Sequence, residues 1–133
     1  MAKTTNDLVF DGFDKYIAGA AVTPDTTNNR DLSVCSTEPT TRTQAITTYM
    51  LATTTLTKVT DFTIADDAVS PYGRKITTTQ KAGVSVTNGG TALFVAICDG
   101  TNLLIVTTCT SQVLTGGNTV TIPAFKAQVG DPT

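Results

Sequence analysis

The chain has 133 residues with nine lysines and arginines, eleven aspartates and glutamates, and neither histidine nor tryptophan. Its length and its 40% hydrophobic content predict a single globular domain rather than a disordered chain. A net charge of −2 without a basic cluster argues against nucleic-acid binding, and the missing histidine removes the commonest acid–base catalyst and metal ligand.

Threonine makes up close to a quarter of the residues, in runs such as 53–55 and 77–79. Because threonine is β-branched, it favours pleated, half-exposed sheet surfaces. The charged fraction of 15% is low for a globular protein. This composition predicts a β protein that presents a surface to partners and carries out no catalysis.

The N-terminal segment predicts one short amphipathic helix. Thr4 and Asp7 have the spacing of a capping box, apolar residues follow at helical intervals, and Gly19 is a typical helix stop. Such a short helix must dock either on its own sheet or on a neighbouring subunit. With the turn-rich stretch after it, we predict an N-terminal arm over residues 1–31 and a β domain over 32–133.

The middle of the chain predicts short strands separated by turns. Residues 32–35 alternate as a strand, a single helical turn is expected over 42–46, and β patterning begins at Tyr49. Residues 62–65 predict a strand with one wet face, before a loop over 66–73. A further strand is expected over residues 74–80, and Val84 and Val86 precede the next turn.

Three Gly-containing turns follow. Asn88-Gly89-Gly90 and Asp99-Gly100-Thr101-Asn102 predict hairpins, and Gly116-Gly117-Asn118 predicts a tight turn before Val120 and Ile122. The segment 91–98 is apolar on both faces, which predicts a central strand covered on both sides. The sum, roughly seven strands, predicts a mainly β, antiparallel β-sandwich or barrel with a short N-terminal helix.

The three cysteines are predicted to be small buried residues in a chain made in a reducing cytosol. If Cys98 opposes Leu103 across the hairpin, Cys109 lies near Ala92, which disfavours a disulfide between Cys98 and Cys109. The polar start of the chain is not typical of a secretory signal, and no apolar run is long enough to span a membrane. We expect no membrane partner.

Candidate catalytic and metal-binding patterns are weak. Ser70 with Lys75, or Ser85 with Lys81, lacks the context of a serine–lysine hydrolase, and the single glutamate argues against paired-carboxylate chemistry. The pair Asp66-Asp67 is expected to cap or solvate a loop, with a weak calcium site as the alternative. We therefore expect no enzyme activity, no cofactor and no metal.

Four stretches carry a resemblance to a known group of proteins. They are Val34-Cys35-Ser36 with Glu38-Pro39-Thr40-Thr41, Gly73-Arg74-Lys75-Ile76-Thr77, Gly90-Thr91-Ala92 leading to Val95-Ala96-Ile97, and Leu114-Thr115-Gly116-Gly117-Asn118-Thr119-Val120 with the terminal Asp131-Pro132. In this order the chain resembles small tailed-bacteriophage virion structural proteins. The resemblance implies a capsid decoration (cement) protein that binds the major capsid protein on the outer face of the head as a homotrimer.

A phage neck, tail or fibre component shares the pattern, and a carbohydrate-binding β-sandwich adhesion module is an alternative from a different class. The lack of tryptophan argues against the adhesion module. Arginine and tyrosine are favoured at interfaces. Arg30, Arg42, Tyr72 and Arg74 are therefore the predicted interface residues, and the virion surface is the predicted location after synthesis in the host cytoplasm.

Overall fold

The computed structural model describes residues 17–19, 28–68 and 73–129, and it is mainly β with antiparallel sheets. Nine strands and one short helix follow one another along the described part of the chain: β1 (Arg30–Cys35), a π-helix (Gln44–Thr48), β2 (Met50–Leu56), β3 (Phe62–Asp66), β4 (Arg74–Thr78), β5 (Lys81–Ser85), β6 (Gly90–Cys98), β7 (Leu103–Leu114), β8 (Thr119–Ile122) and β9 (Lys126–Val129). The strands predicted over 32–35, 62–65, 74–80 and 91–98 are confirmed within a few residues.

The strands form three antiparallel sheets. A four-stranded sheet has the order β2-β1-β6-β7, a three-stranded sheet has the order β3-β4-β9, and β5 pairs with β8. An isolated bridge between Ala52 and Val86 joins β2 to the end of β5. The outer edge of β2 is therefore partly covered.

One hydrophobic core joins the three sheets in two layers. Buried side chains of the four-stranded sheet, including Leu32, Leu56 and Ile97, form a cluster with Ile76 of β4 and Ile122 of β8. Burying an aliphatic side chain of this size contributes about 1.5–3 kcal/mol. The layered antiparallel arrangement confirms the predicted fold class.

The opposite face of the four-stranded sheet carries a second, smaller cluster. Cys35, Ala96 and Cys98 pack there against Ala45, which belongs to the π-helix and is fully buried. The helical turn predicted over 42–46 thus exists, and it continues as a π-helix to Thr48. β6 lies between β1 and β7, as predicted, and this turn covers its far side, so residues 95–98 are buried on both faces, whereas Leu93 is 38% exposed.

The hairpin predicted at Asn88-Gly89-Gly90 is wrong. The strand before it, β5, pairs with β8, whereas the strand after it, β6, pairs with β1 and β7. The backbone N–H groups of Thr87 and Asn88 both donate to the carbonyl of Leu51, at 2.8 and 3.0 Å. These bonds turn the chain from one layer into the other, so the same turn residues make a corner instead of a hairpin.

A single antiparallel ribbon passes through that corner. β5 runs into β6 on one side, and β7 runs into β8 on the other. Lys81 pairs with Ile122 and Val84 with Val120 in one layer, and the pairing continues in the other layer beyond the corner. At the corner, Val86 N donates to Asn118 O at 2.8 Å and Gly117 N donates to Val86 O at 2.9 Å. The ribbon closes at the predicted hairpin, where Asp99 N donates to Asn102 O at 3.0 Å.

The N-terminal helix prediction lies largely outside the described residues. Its last part, Ile17 and Ala18, is helical, and Gly19 follows with a φ of 76°. Ala18 is buried in the main core, and its carbonyl accepts a 2.7 Å hydrogen bond from the N–H of Val59. This part of the predicted arm therefore packs on its own β domain, whose first strand begins at Arg30.

Candidate functional site

The outer edge of β7 is the most distinctive surface in the described part of the chain. β7 has twelve residues and pairs with β6 on one side, and no described strand pairs with its other side. An unpaired edge presents a row of free backbone N–H and C=O groups to any extended chain. Monomeric proteins protect such edges with charged residues, proline, bulges or short strands. β7 contains no charged residue or proline, and its pairing with β6 shifts register at two places.

Apolar side chains lie partly exposed along this edge. Residues 103–106, Leu-Leu-Ile-Val, are all half-buried, although they alternate between the two faces of the sheet. Val113, near the other end of β7, is 76% exposed, and Leu93 on the adjacent strand is 38% exposed. Two of the three large hydrophobic side chains exposed in the described residues therefore lie on β7 or beside it.

A groove opens between the two layers along β7. It has a volume of about 260 Å³ where Thr107 and Cys109 face Pro123 and Phe125. A neighbouring part of about 180 Å³ continues the groove toward Leu114. The groove contains no charged side chain, so it favours apolar or neutral contacts.

The neutrality extends over the whole bent ribbon. Between residues 82 and 125 the only charged residue is Asp99. Most other polar side chains in this range are threonine, serine, asparagine or glutamine. The predicted interface residues all lie outside this run, although the run is visible in the sequence and marks the segment that contains β7.

Asp99 adds no accessible charge to that ribbon, because it is fully buried at the hairpin. Burial alone would raise its pKa, but hydrogen bonds from the N–H groups of Asn102 and Thr101 outweigh burial and lower it. The Nε atom of Arg42 donates to the Asp99 carbonyl at 2.7 Å. The loop Asp99-Gly100-Thr101-Asn102 is thus a hairpin, as predicted, and its carboxylate accepts hydrogen bonds from its own loop.

Arg30 has a different position from the one that an interface role requires. Its side chain is fully buried, its Nε atom donates to Ile17 O at 2.9 Å, and its Nη1 atom donates to Asn28 O at 3.1 Å. Gly19 packs so closely that an added Cβ would lie 3.0 Å from the guanidinium carbon. Arg30 therefore fastens the end of the arm to β1, and no part of its side chain is available to a partner.

The two other predicted interface residues that the structure describes, Arg42 and Arg74, are not brought together. Arg42 forms an ion pair with Asp31 at 3.1 Å, and Arg74 forms one with Asp66 at 2.8 Å in the other layer. Tyr72 lies outside the described residues. Arg42 and Arg74 both retain some exposed surface, at 29% and 16% of their side chains.

The Asp66-Asp67 pair does not form a shared site. Asp66 is exposed and pairs with Arg74, whereas the Asp67 carboxylate is fully buried and accepts hydrogen bonds from Lys126 and Gln128. In the described ranges, no three histidine, cysteine, aspartate or glutamate side chains gather closely enough to hold a metal ion.

Lys81, the lysine of one candidate serine–lysine pair, forms an ion pair with Asp61. Its Nζ atom lies 2.8 Å from Asp61 Oδ2, while Thr79 Oγ1 donates to Asp61 Oδ1 at 2.7 Å. Ser70 lies outside the described residues. Burial would raise the pKa of Asp61, but these partners and the N–H of Thr57 lower it to about 2. The carboxylate therefore connects β5 to the turn before β3.

The three cysteines are free thiols with different accessibility. Cys35 and Cys98 are fully buried, as predicted, and burial raises the pKa of each thiol to about 11. Cys98 opposes Leu103, as the hairpin register predicts. Cys109 is half-buried in the groove, where burial also raises its pKa. A thiol with a raised pKa is a weak nucleophile at neutral pH.

Comparisons of this chain with protein-family models, curated proteins and solved structures find no match. Within the ranges that the structure describes, no helix is long and apolar enough to cross a membrane.

Proposed function

We propose that this chain is a bacteriophage virion structural protein, a capsid decoration protein that binds the outer face of the head as a homo-oligomer. The observation that carries the proposal is the bent ribbon of residues 82–125, which has one charged residue, itself buried, and includes the open edge of β7. The resemblance of the four sequence stretches to phage virion proteins supplies the class of particle.

The chemistry of the ribbon suits permanent contact with neighbours. Covering a charged side chain removes its hydration and costs several kcal/mol unless a partner compensates it. Covering threonine and serine costs much less, since a hydroxyl needs only one or two hydrogen bonds. A surface with one charge, which is itself buried, can therefore be covered at little electrostatic cost.

The mechanism would be mechanical rather than catalytic. Each bound copy would bury surface on two neighbouring capsomers, and its binding free energy would add to the stability of the closed shell by mass action. The shared core of the two layers keeps the binding surface rigid, so that little conformational entropy is lost on binding.

Cosedimentation with heads that lack this protein tests the proposal. The purified chain should pellet with heads and raise the temperature at which they release DNA. Binding to tails or glycans, with none to heads, would instead support the neck, tail or fibre component or the adhesion module. Binding to none of them contradicts a virion role.

Two arginine variants then map the contact. Arg42→Ala and Arg74→Ala each remove a predicted interface side chain that retains exposed surface. Weaker head binding by either variant, with an unchanged unfolding temperature, assigns that face to the capsid. If both variants bind as tightly as the unchanged chain, the capsid contact does not involve these two arginines.

A further inference from the structure

We infer that β7 pairs with β7 of a second copy of this chain, in antiparallel register about a two-fold axis. The pairing would join two four-stranded sheets into one continuous sheet. This inference rests on the proposed function only in taking assembly as the role of the chain, and it names the surface and the partner.

The charge pattern favours a second copy over an unrelated protein. In a two-fold interface the same patch lies on both subunits, so any charge near the axis meets a like charge. β7 has none between Leu103 and Leu114, and directly opposed threonines form favourable cross-strand pairs. A surface selected to recognise a charged partner would carry complementary charges of its own.

The other sheet edges in the described ranges differ from β7. β3 ends in Asp66, β9 begins with Lys126 and β5 begins with Lys81. Charged residues of this kind discourage edge-to-edge pairing. The uncharged edges of β2 and β8 differ in another way, because β2 is bridged to Val86 at Ala52 and β8 has only four residues. Among the described strands, β7 combines the greatest length with an uncharged edge.

The size of the edge fits a stable dimer. β7 pairs along the nine residues of β6, so its edge extends about 30 Å, and two layers with their outward side chains are roughly 20 Å deep. The product, on the order of 600 Å² per copy, lies at the lower end of the range for standard specific interfaces. The groove between the layers opens along the same edge, so the partner strand would also cover the apolar side chains of Phe125 and Pro123.

Matched lysine variants test the pairing. Thr108→Lys and Val113→Lys place a charge on exposed positions of β7, and Thr63→Lys and Val59→Lys place the same charge on exposed positions away from it. Mass is measured by light scattering over a range of concentrations, and circular dichroism checks that each variant is folded.

The expected result is a mass that doubles from 13.9 kDa with increasing concentration. The two β7 variants should remain at the monomer mass, and the two control variants should dimerise like the unchanged chain. Amide hydrogen exchange over residues 103–108 should slow on dimerisation in the unchanged chain only.

A chain that stays monomeric at every concentration overturns the inference, and so does a dimer that both β7 variants leave intact. A trimer, the state implied by the resemblance, overturns the two-fold pairing but leaves the proposed function standing. Loss of dimerisation by Thr63→Lys as well as Thr108→Lys would show head-to-tail pairing of β7 with β3, which also contradicts it. Head binding is measured separately, so failure of the proposed function is distinguishable from failure of the pairing.

Discussion

Gly89 and Gly116 lie against each other at the corner where the ribbon passes between the two layers. A Cβ added to Gly89 would lie 3.5 Å from the backbone nitrogen of Gly116, and one added to Gly116 would lie 3.6 Å from that of Gly89. The two chain segments thus contact each other backbone to backbone, and the corner bends both strands of the ribbon together. This bend aligns β7 with the four-stranded sheet and leaves its outer edge open.

Substitutions of Gly117 test whether the corner requires a residue with positive φ. Its φ is 89° and nothing lies within 4 Å of an added Cβ, so the cost of a substitution is conformational rather than steric. Gly117→Ala should lower the free energy of unfolding by about 1–2 kcal/mol, and Gly117→Asn should lower it less because asparagine tolerates positive φ. Urea denaturation measures both. Equal losses for the two variants would contradict this explanation.

Arg30 should be a stability residue rather than a partner contact. Arg30→Met leaves the carbonyls of Ile17 and Asn28 without these hydrogen bonds, which should cost about 2–4 kcal/mol of unfolding free energy. The control Arg74→Met removes an ion pair whose acid is 80% exposed and should cost about 1 kcal/mol or less. Limited proteolysis should also cut the arm of Arg30→Met faster. Normal stability in Arg30→Met would contradict the fastening role.

Asp61 predicts a loss of stability in acid. Its pKa is about 2 in the folded chain against an ordinary 3.8, so the folded state binds fewer protons than the unfolded state between these values. The contribution is complete above pH 4 and disappears as the pH falls toward 2. Asp61→Asn should therefore lose about 1–2 kcal/mol at pH 7 and little at pH 2. A loss of equal size at both pH values would contradict a role for the carboxylate charge.

The three cysteines should differ in their reactivity toward a disulfide reagent. At low protein concentration and pH 8, one thiol per chain, Cys109, should react with a disulfide reagent, and unfolding should release three. Cys109→Ser should abolish the native reaction. Two reactive thiols in the native chain would contradict the burial of Cys35 or Cys98.

The buried thiols should also make the free energy of unfolding depend on pH in alkali. Since Cys35 and Cys98 have pKa values of about 11 against an ordinary 9.0, their contribution to stability is complete below pH 9 and is lost as the pH rises toward 11.

Local chemistry in the sequence was sufficient to predict several elements. The predicted Asp99-Gly100-Thr101-Asn102 hairpin is confirmed. Its hydrogen bonds are all local, since the Asp99 carboxylate accepts from the N–H groups of Thr101 and Asn102 and the Asp99 N–H donates to the Asn102 carbonyl. The central position of β6 follows from its apolar residues on both faces. The predicted interface role of Arg30 is wrong, because the two carbonyls that accept its hydrogen bonds belong to the arm and bury its side chain. Residue type alone does not determine whether a side chain is exposed.

The sequence by itself determined the β composition, the turn positions and the uncharged run of residues 82–125, since these depend on side-chain type and short-range backbone preference. Only the tertiary structure decided which strands pair. The sequence Asn88-Gly89-Gly90 suits both a hairpin, in which the chain reverses, and a corner, in which the chain passes from one layer to the other. Hydrogen bonds to Leu51 and burial of a core shared by three sheets selected the corner. The open edge of β7 is a consequence of that long-range choice, because a strand becomes an edge only when the partners of all other strands are set.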